Sequence, residues 1–269
     1  MQLEVLSGAA ASNAIHLLSL FDRARATFCA LGLETVPTDL GTAICSCELL
    51  PIYDANALFD ARLPAGLEMK TAWEGIESAF RDRQTHCLQV RVNLTALPAE
   101  REPVIAWLLQ AGWREYRRNV YRLMAAPAMV NTGLIIISAR AAVREYEQFA
   151  RRAAGSQPRL ADASLLRLDD PRYEVLVLLM DGAIVARAGV LTLGEVGLIE
   201  QVHVLGDQRG RGFGFAVIQH AIDLCARAQF KHVLLGCDST NVAAIKLYAS
   251  LGFAKIGESA EWRAPSTFA

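Results

Sequence analysis

The chain has 269 residues, and its 27 Lys+Arg against 28 Asp+Glu leave a net charge of −1, so no basic excess points to nucleic acid. Hydrophobic residues make up 53%, yet no apolar run approaches the roughly 18 residues of a membrane span, and the start shows neither the basic nor the apolar region of an export signal. Of six cysteines only Cys45 and Cys47 lie close together, without the partners a metal site needs; scattered free thiols fit a reducing cytoplasm, and no metal is expected.

In the first half, Ile15, Leu17, Leu18, Phe21, Ala24 and Phe28 recur at helical period, which predicts a helix within residues 1–30. Residues 31–70 are mixed, with turn signals at Pro37, Gly41, Pro51, Pro64 and Gly66 and a strand expected at Ala43–Leu49. A helix follows over 71–83, with Trp73, Ile76 and Phe80 on one side, then a strand over His86–Val92. The stretch from Pro103 reads as a helix ended by Gly112-Trp113, followed by a strand at Glu115–Leu123. Met124–Ala128 reads as a linker, which divides the chain into domains at 1–126 and 130–269.

In the second half, a strand at Leu134–Ile137 precedes an amphipathic helix over Ala141–Arg152. A weaker segment lies between Pro158 and Pro171. Glu174–Met180 and Ile184–Leu193 form a hairpin about Asp181-Gly182. The strand at 198–205 comes next, with Leu198, Glu200, Val202 and Val204 expected on one face and His203 on the other. A helix over 212–229, a strand at Lys231–Gly236 and a helix from Asn241 complete the order.

Between strand and helix stands Arg209-Gly210-Arg211-Gly212-Phe213-Gly214. Glycines without a Cβ let an anion approach their amides, and the first turn of a helix presents orphan N–H groups and the positive end of the dipole. Arg209 and Arg211 add two cations for phosphate oxygens. The spacing excludes two common phosphate loops: no Lys-Ser/Thr closes it, and Phe215 stands where a dinucleotide fold needs its third glycine. Thirty residues on, Asn241-Val242-Ala243-Ala244 leads to Tyr248 and then to Gly252-Phe253, with Asn241 suited to cap the helix and Gly252 to end it.

Together these two segments resemble the GNAT superfamily of acyl-CoA N-acyltransferases, contiguously over about 197–256. The resemblance implies an α/β (α+β) fold, a mixed, mostly antiparallel sheet flanked by helices, with two strands splayed to admit a cofactor. It implies acetyl-CoA as cosubstrate, held by Arg209, Gly210, Arg211, Gly212, Phe213 and Gly214. The pantetheine arm would lie along the backbone of Val202, His203 and Val204, with Asn241 and Tyr248 nearby. Tyr248 would protonate the leaving thiolate, and Glu200 would order a water or the amine; a packed tyrosine and a salt-bridged strand carboxylate are the plainer roles for the two. The acceptor is a small-molecule or protein amine, with neither nucleic acid nor membrane as partner; a homodimer is left open. A non-catalytic acyl-CoA-binding regulator is the rival function. The helix–Gly112–Trp113 end echoes Gly252-Phe253, so the first half reads as a degenerate GNAT-like domain without a cofactor loop, an unrelated α+β domain being the alternative.

Overall fold

The computed structural model describes residues 8–130 and 132–265, with side chains from Asn13 onward. The first half contains α1 (Gly8–Ala30), β1 (Glu34–Thr38), β2 (Gly41–Cys45), β3 (Ala57–Ala61), α2 (Met69–Arg81), β4 (Gln89–Val92), α3 (Pro98–Gln110) and β5 (Arg114–Leu123). The second contains β6 (Ile135–Ser138), α4 (Val143–Ala154), α5 (Pro158–Leu168), β7 (Tyr173–Met180), β8 (Ala183–Leu193), β9 (Val196–Val204), α6 (Phe213–Arg227), β10 (His232–Asp238), α7 (Val242–Ser250) and β11 (Phe253–Arg263). The first seven residues of the helix expected at 1–30 lie outside the described residues.

Local chemistry accounts for the boundaries. Asp181 and Gly182 both have positive φ (51° and 78°), the two-residue turn whose twist matches a hairpin, and Met180 pairs with Ala183 across it. The Asn241 side chain accepts from Ala244 N at 3.1 Å and starts α7, while Gly252, at φ 85°, ends it. In α4, Tyr146, Phe149 and Ala150 turn inward, with Glu145 in the first turn and Arg151 and Arg152 in the last, charges that complement the helix dipole.

All eleven strands join one sheet in the order β1-β2-β3-β4-β11-β5-β10-β9-β8-β7-β6. The sequence led us to expect a separate sheet for each half; instead the final strand of each half is exchanged. β5 lies between β10 and β11, and β11 lies between β4 and β5, antiparallel to all three neighbours involved. Trp262 of β11 therefore packs in the first half's core with Trp73, Ile76 and Trp113, while Tyr121 of β5 packs with Val217, Tyr248 and Phe253 in the second's. Burial of each such aromatic is worth roughly 1.5–3 kcal/mol, so the exchange couples the two halves energetically. α1 runs across the seam: a Cβ at Gly236 would meet Phe21 at 2.7 Å, and one at Gly257 would meet Leu18 at 2.9 Å.

The halves also echo each other in detail. β3 and β4 are parallel, as are β9 and β10. A non-glycine residue with positive φ interrupts β3 at Asp60 (60°) and β9 at Gln201 (51°). After β4, Asn93 Oδ1 accepts from Thr95 N and Oγ1; after β10, Asp238 Oδ1 accepts from Thr240 N and Oγ1. Gly112 and Gly252, both near φ 80°, end α3 and α7 ahead of Trp113 and Phe253.

Candidate functional site

β9 and β10 pair from Val196–His232 to Ile199–Leu235 and then part. Beyond that point β9 stays with β8, while β10 follows β5 as far as Asp238–Arg118. Gln201 produces the parting: its positive φ coincides with a register shift opposite Arg187–Gly189, a bulge that bends β9 away from β10. The bulge also corrects the face expected from strict alternation. Leu198 packs on the α1 side and Glu200 bonds Arg25 of α1, but Val202 and Val204 pack on the α6 side with Ile199. His203 meets Phe149 of α4 edge-on at 5.9 Å and so shares the Glu200 side, not the opposite one.

At the far end of β9 the loop opens into α6. Gly210 and Gly212 both have left-handed φ (77° and 80°), and Gly212 is the N-cap. A Cβ at either would meet no protein atom within 4 Å, so the space over their amides is open. The helix ladder begins with Ala216 N donating to Gly212 O at 3.1 Å, which leaves the preceding amides of the first turn outside it. Gly214 is confined instead, with Leu247 and Val204 at 3.3 and 3.5 Å from its Cβ position. Arg211 stacks on Phe213 at 4.8 Å, and Arg209 Nε donates to Val204 O at 3.3 Å. This loop and the parted strands fit an elongated ligand with a phosphate at one end.

Tyr248 is 6% exposed, between Tyr121 and Phe253 at ring distances of 6.1 Å each. Burial, with Cys237 and Glu200 beside it, pushes its phenol well above the ordinary value, so it holds its proton at neutral pH. Asn241 caps α7 and is exposed. Burial and the cations Arg187 and Arg209 lower His203, which favours a neutral ring. Cys225 is pushed up to about 12 and Cys237 upward by burial, so neither is a ready thiolate.

Glu200 sits in a charged seam that periodicity did not reveal. Arg25 donates to Glu200 Oε2 at 3.0 Å and to Asp54 at 2.7 Å, while Glu200 Oε1 is buried without a hydrogen-bond partner. Asp54 is drawn down despite its burial by Arg25, Arg167, Arg118 and Arg91. One signal for Arg25 existed in the sequence: it interrupts the apolar face of Phe21, Ala24 and Phe28. Arg118 reaches this seam from the exchanged strand β5. Two large grooves, of 1200 and 1010 Å³, lie elsewhere and take in neither Glu200, Tyr248 nor the loop. No cluster of three or more His, Cys, Asp or Glu side chains able to hold a metal occurs among the described residues, and no helix there is long and apolar enough to cross a membrane.

Residues 139–253, from the end of β6 through α7, match the acetyltransferase (GNAT) family. This segment is a GNAT-family domain. Among solved structures, a GCN5-related N-acetyltransferase from Kribbella flavida is similar over 92% of this chain and 95% of its own, with TM-score 0.65 and 17% identity. A functionally unknown conserved protein from Staphylococcus epidermidis is similar over 86% and 94%, with TM-score 0.54 and 16% identity. A putative GNAT-family acetyltransferase from Novosphingobium aromaticivorans is covered over 64% of its length by 55% of this chain, at 19% identity and TM-score 0.45. At these identities the likeness concerns the fold. A comparison with curated proteins gives no match. In the GNAT domain the parted pair is β9 and β10, and the glycine loop leads into α6.

Proposed function

We propose that the protein transfers an acetyl group from acetyl-CoA to an amine by direct attack in a ternary complex. The observation that carries this reading is the conjunction of the β9–β10 parting with a loop of two left-handed glycines opening α6. The amides of that loop and the guanidiniums of Arg209 and Arg211 would hold the pyrophosphate, with Gly214 allowing α6 to pack closely on Val204. The backbone of Val202–Val204, freed from β10 by the bulge, would carry the pantetheine arm and polarise the thioester carbonyl. Glu200, fixed by Arg25 through one oxygen, would use the unpartnered Oε1 to orient the amine or a water that takes its proton. The amine nitrogen bonds to the carbonyl carbon, the C–S bond breaks, and the protonated phenol of Tyr248 supplies a proton to the thiolate. Asn241 acts on this site through the capped start of α7. Cytoplasmic location belongs to the same reading.

The domain reading at 1–126 and 130–269 is likewise our proposal, with the first half a degenerate GNAT-like unit. Repeated element order, paired bulges and paired Asx-type turns support it. The first half does not repeat the parting: Ala61 pairs with Val92 beyond the Asp60 bulge, and Asn93 N donates to Ala61 O at 3.0 Å. Glu68, an acidic residue, precedes α2 where Gly212 precedes α6. Thiol release from acetyl-CoA with a panel of amines tests the activity. Acetyl-CoA binding without release by any amine would leave a binding-only regulator as the function.

A further inference from the structure

Two buried guanidiniums on the α4–α5 side of the sheet make no ion pair at contact distance with a carboxylate among the described residues. Arg167 of α5 is 4% exposed; Nε and Nη2 are buried without a hydrogen bond, and its guanidinium stacks on Phe28 at 4.5 Å. Arg187 of β8 is 8% exposed; Nη1 donates to the Tyr146 hydroxyl at 2.8 Å, and Nε is buried without a partner. Its guanidinium lies 5.8 Å from the Tyr146 ring and 5.7 Å from that of Phe149.

Their common neighbour is Tyr173. Its ring meets Phe28 at 5.2 Å, and its hydroxyl donates to Gln201 Oε1 at 3.4 Å, at the bulge beside Glu200. The Arg167 guanidinium and the Tyr173 ring share Phe28 as a neighbour, and the Tyr173 hydroxyl lies over Gly189, two residues along β8 from Arg187. Burial raises this phenol far above its ordinary value, while Arg187 and Arg167 pull against the rise. A Cβ at Gly189 would collide with that hydroxyl, so glycine is what admits it. The seam balances elsewhere: Arg25 serves Glu200 and Asp54, and Arg91 serves Asp22 and Glu261, the latter also reached by Arg118 and Arg263. Arg167 is felt at Asp54 without bonding it, and neither Arg167 nor Arg187 has an ion pair of its own among the described residues.

An unpaired buried cation costs several kcal/mol unless something anionic completes it. We propose that Arg167 and Arg187 form the acceptor's anchoring subsite, and that the acceptor is an amine bearing a carboxylate, held here so that its nitrogen reaches the parted strands past Gln201 and half-buried His203. The Tyr146 hydroxyl, which accepts from Arg187 and keeps its own proton to give, completes the donor set. The acceptor assignment rests on the acetyl-transfer reading, but the anion site can be read without turnover.

The intact chain, saturated with CoA, is titrated with N-acetylglycine and with its neutral isostere N-acetylglycinamide, binding being followed by thermal shift and calorimetry. The carboxylate should bind at least about tenfold more tightly than the amide, the difference of one charge-assisted contact. Arg187→Gln and Arg167→Gln should each abolish that preference, and Arg187→Lys should retain part of it. The ligand-free melt of each variant establishes folding; if the Gln variants do not fold, the Lys variant and the wild-type preference carry the test. Equal binding of carboxylate and amide overturns the subsite, as does a preference that survives both Gln variants. Carboxylate binding that CoA abolishes would assign the arginines to the cosubstrate and overturn it too. Absence of thiol release with every amine would refute only the acetyl-transfer reading.

Discussion

Arg25→Met removes a buried side chain that holds a carboxylate of each half. Its side chain is 5% exposed, and it bonds Glu200, whose side chain is 8% exposed, and Asp54, whose side chain is 27% exposed. Methionine matches the length of the stem but leaves Glu200 buried and unpaired; the loss at Asp54 is smaller because water reaches it. Breaking a buried pair from one side costs about 3–5 kcal/mol. At about 2–4 °C per kcal/mol for a protein of this size, the melting temperature should fall by roughly 6–20 °C. Glu200→Gln removes the stranded charge, so Arg25→Met/Glu200→Gln should lose far less than the sum of the single changes, with a coupling of about 2 kcal/mol or more. Denaturant unfolding of the four proteins measures this coupling. Turnover should fall in Arg25→Met because Glu200 loses its orientation, while acetyl-CoA affinity, set at the loop, should hold. A cost below about 1 kcal/mol, or strict additivity, would show that Arg25 does not hold Glu200 and would remove the basis for its role.

Tyr248→Phe should lower turnover by about 10²- to 10⁴-fold with acetyl-CoA affinity nearly unchanged, measured by thiol release and calorimetry; full turnover would make it a packing residue. Acetyl-CoA at a hundredfold its Kd should stabilise the native chain by about 2.7 kcal/mol. Gly212→Val should abolish that shift, since φ there is 80° and the space open over it is where the proposed phosphate would lie. Asp54 and Glu261 are both held below the ordinary carboxylate range against their burial, Asp54 chiefly by Arg25 and Glu261 chiefly by Arg118 and Arg91. Their contribution is therefore present above the unfolded carboxylate pKa near 4 and is lost as pH falls through the folded values; Asp54→Asn should flatten the decline seen by denaturant unfolding below pH 4. Calorimetry should find one acetyl-CoA per chain, because β3 and β4 close where β9 and β10 part; a stoichiometry of two would refute that.

Where a residue's role depends on its immediate neighbours, it was legible in the sequence. The Asp181-Gly182 turn, the Asn241 cap, the Gly252 stop and the glycine loop before α6 all declare themselves within a few positions, and each stands where the pattern put it. The strand expected at Ala43–Leu49 forms only at Gly41–Cys45, and β1 and β3 were lost in the mixed stretch of 31–70. β1 contains Pro37 and is largely exposed, while β3 has only five residues and a positive φ at Asp60, so neither shows a clean alternation. The weaker segment before Pro171 is the regular helix α5, whose buried set of Ala161, Ala163, Ser164, Arg167 and Leu168 is too small and polar to stand out.

The bulge at Gln201 illustrates a deeper reason. Alternation assumes that each step along a strand reverses the face, and one extra residue inverts everything after it. Nothing in Glu200-Gln201-Val202 announces that step, because the cause lies across the sheet. β9 must leave β10 while keeping its register with β8, and a left-handed residue is how the backbone achieves both. That single conformation sends Glu200 toward Arg25 and Val202 and Val204 toward α6, so the carboxylate and the two valines occupy different faces of one strand. On the proposed reading the acceptor would come from the α1–α4–α5 side, where the charged seam, Arg167 and Arg187 lie, and the cosubstrate from the α6 side. The exchanged strand then acquires a reason. With β5 beside β10, Arg118 and Val120 form part of the same face as Glu200, and α1 can bring Arg25 over it. In the first half β3 and β4 stay paired, yet on the proposed reading its helix α1 and its last strand would furnish the acceptor wall of the second.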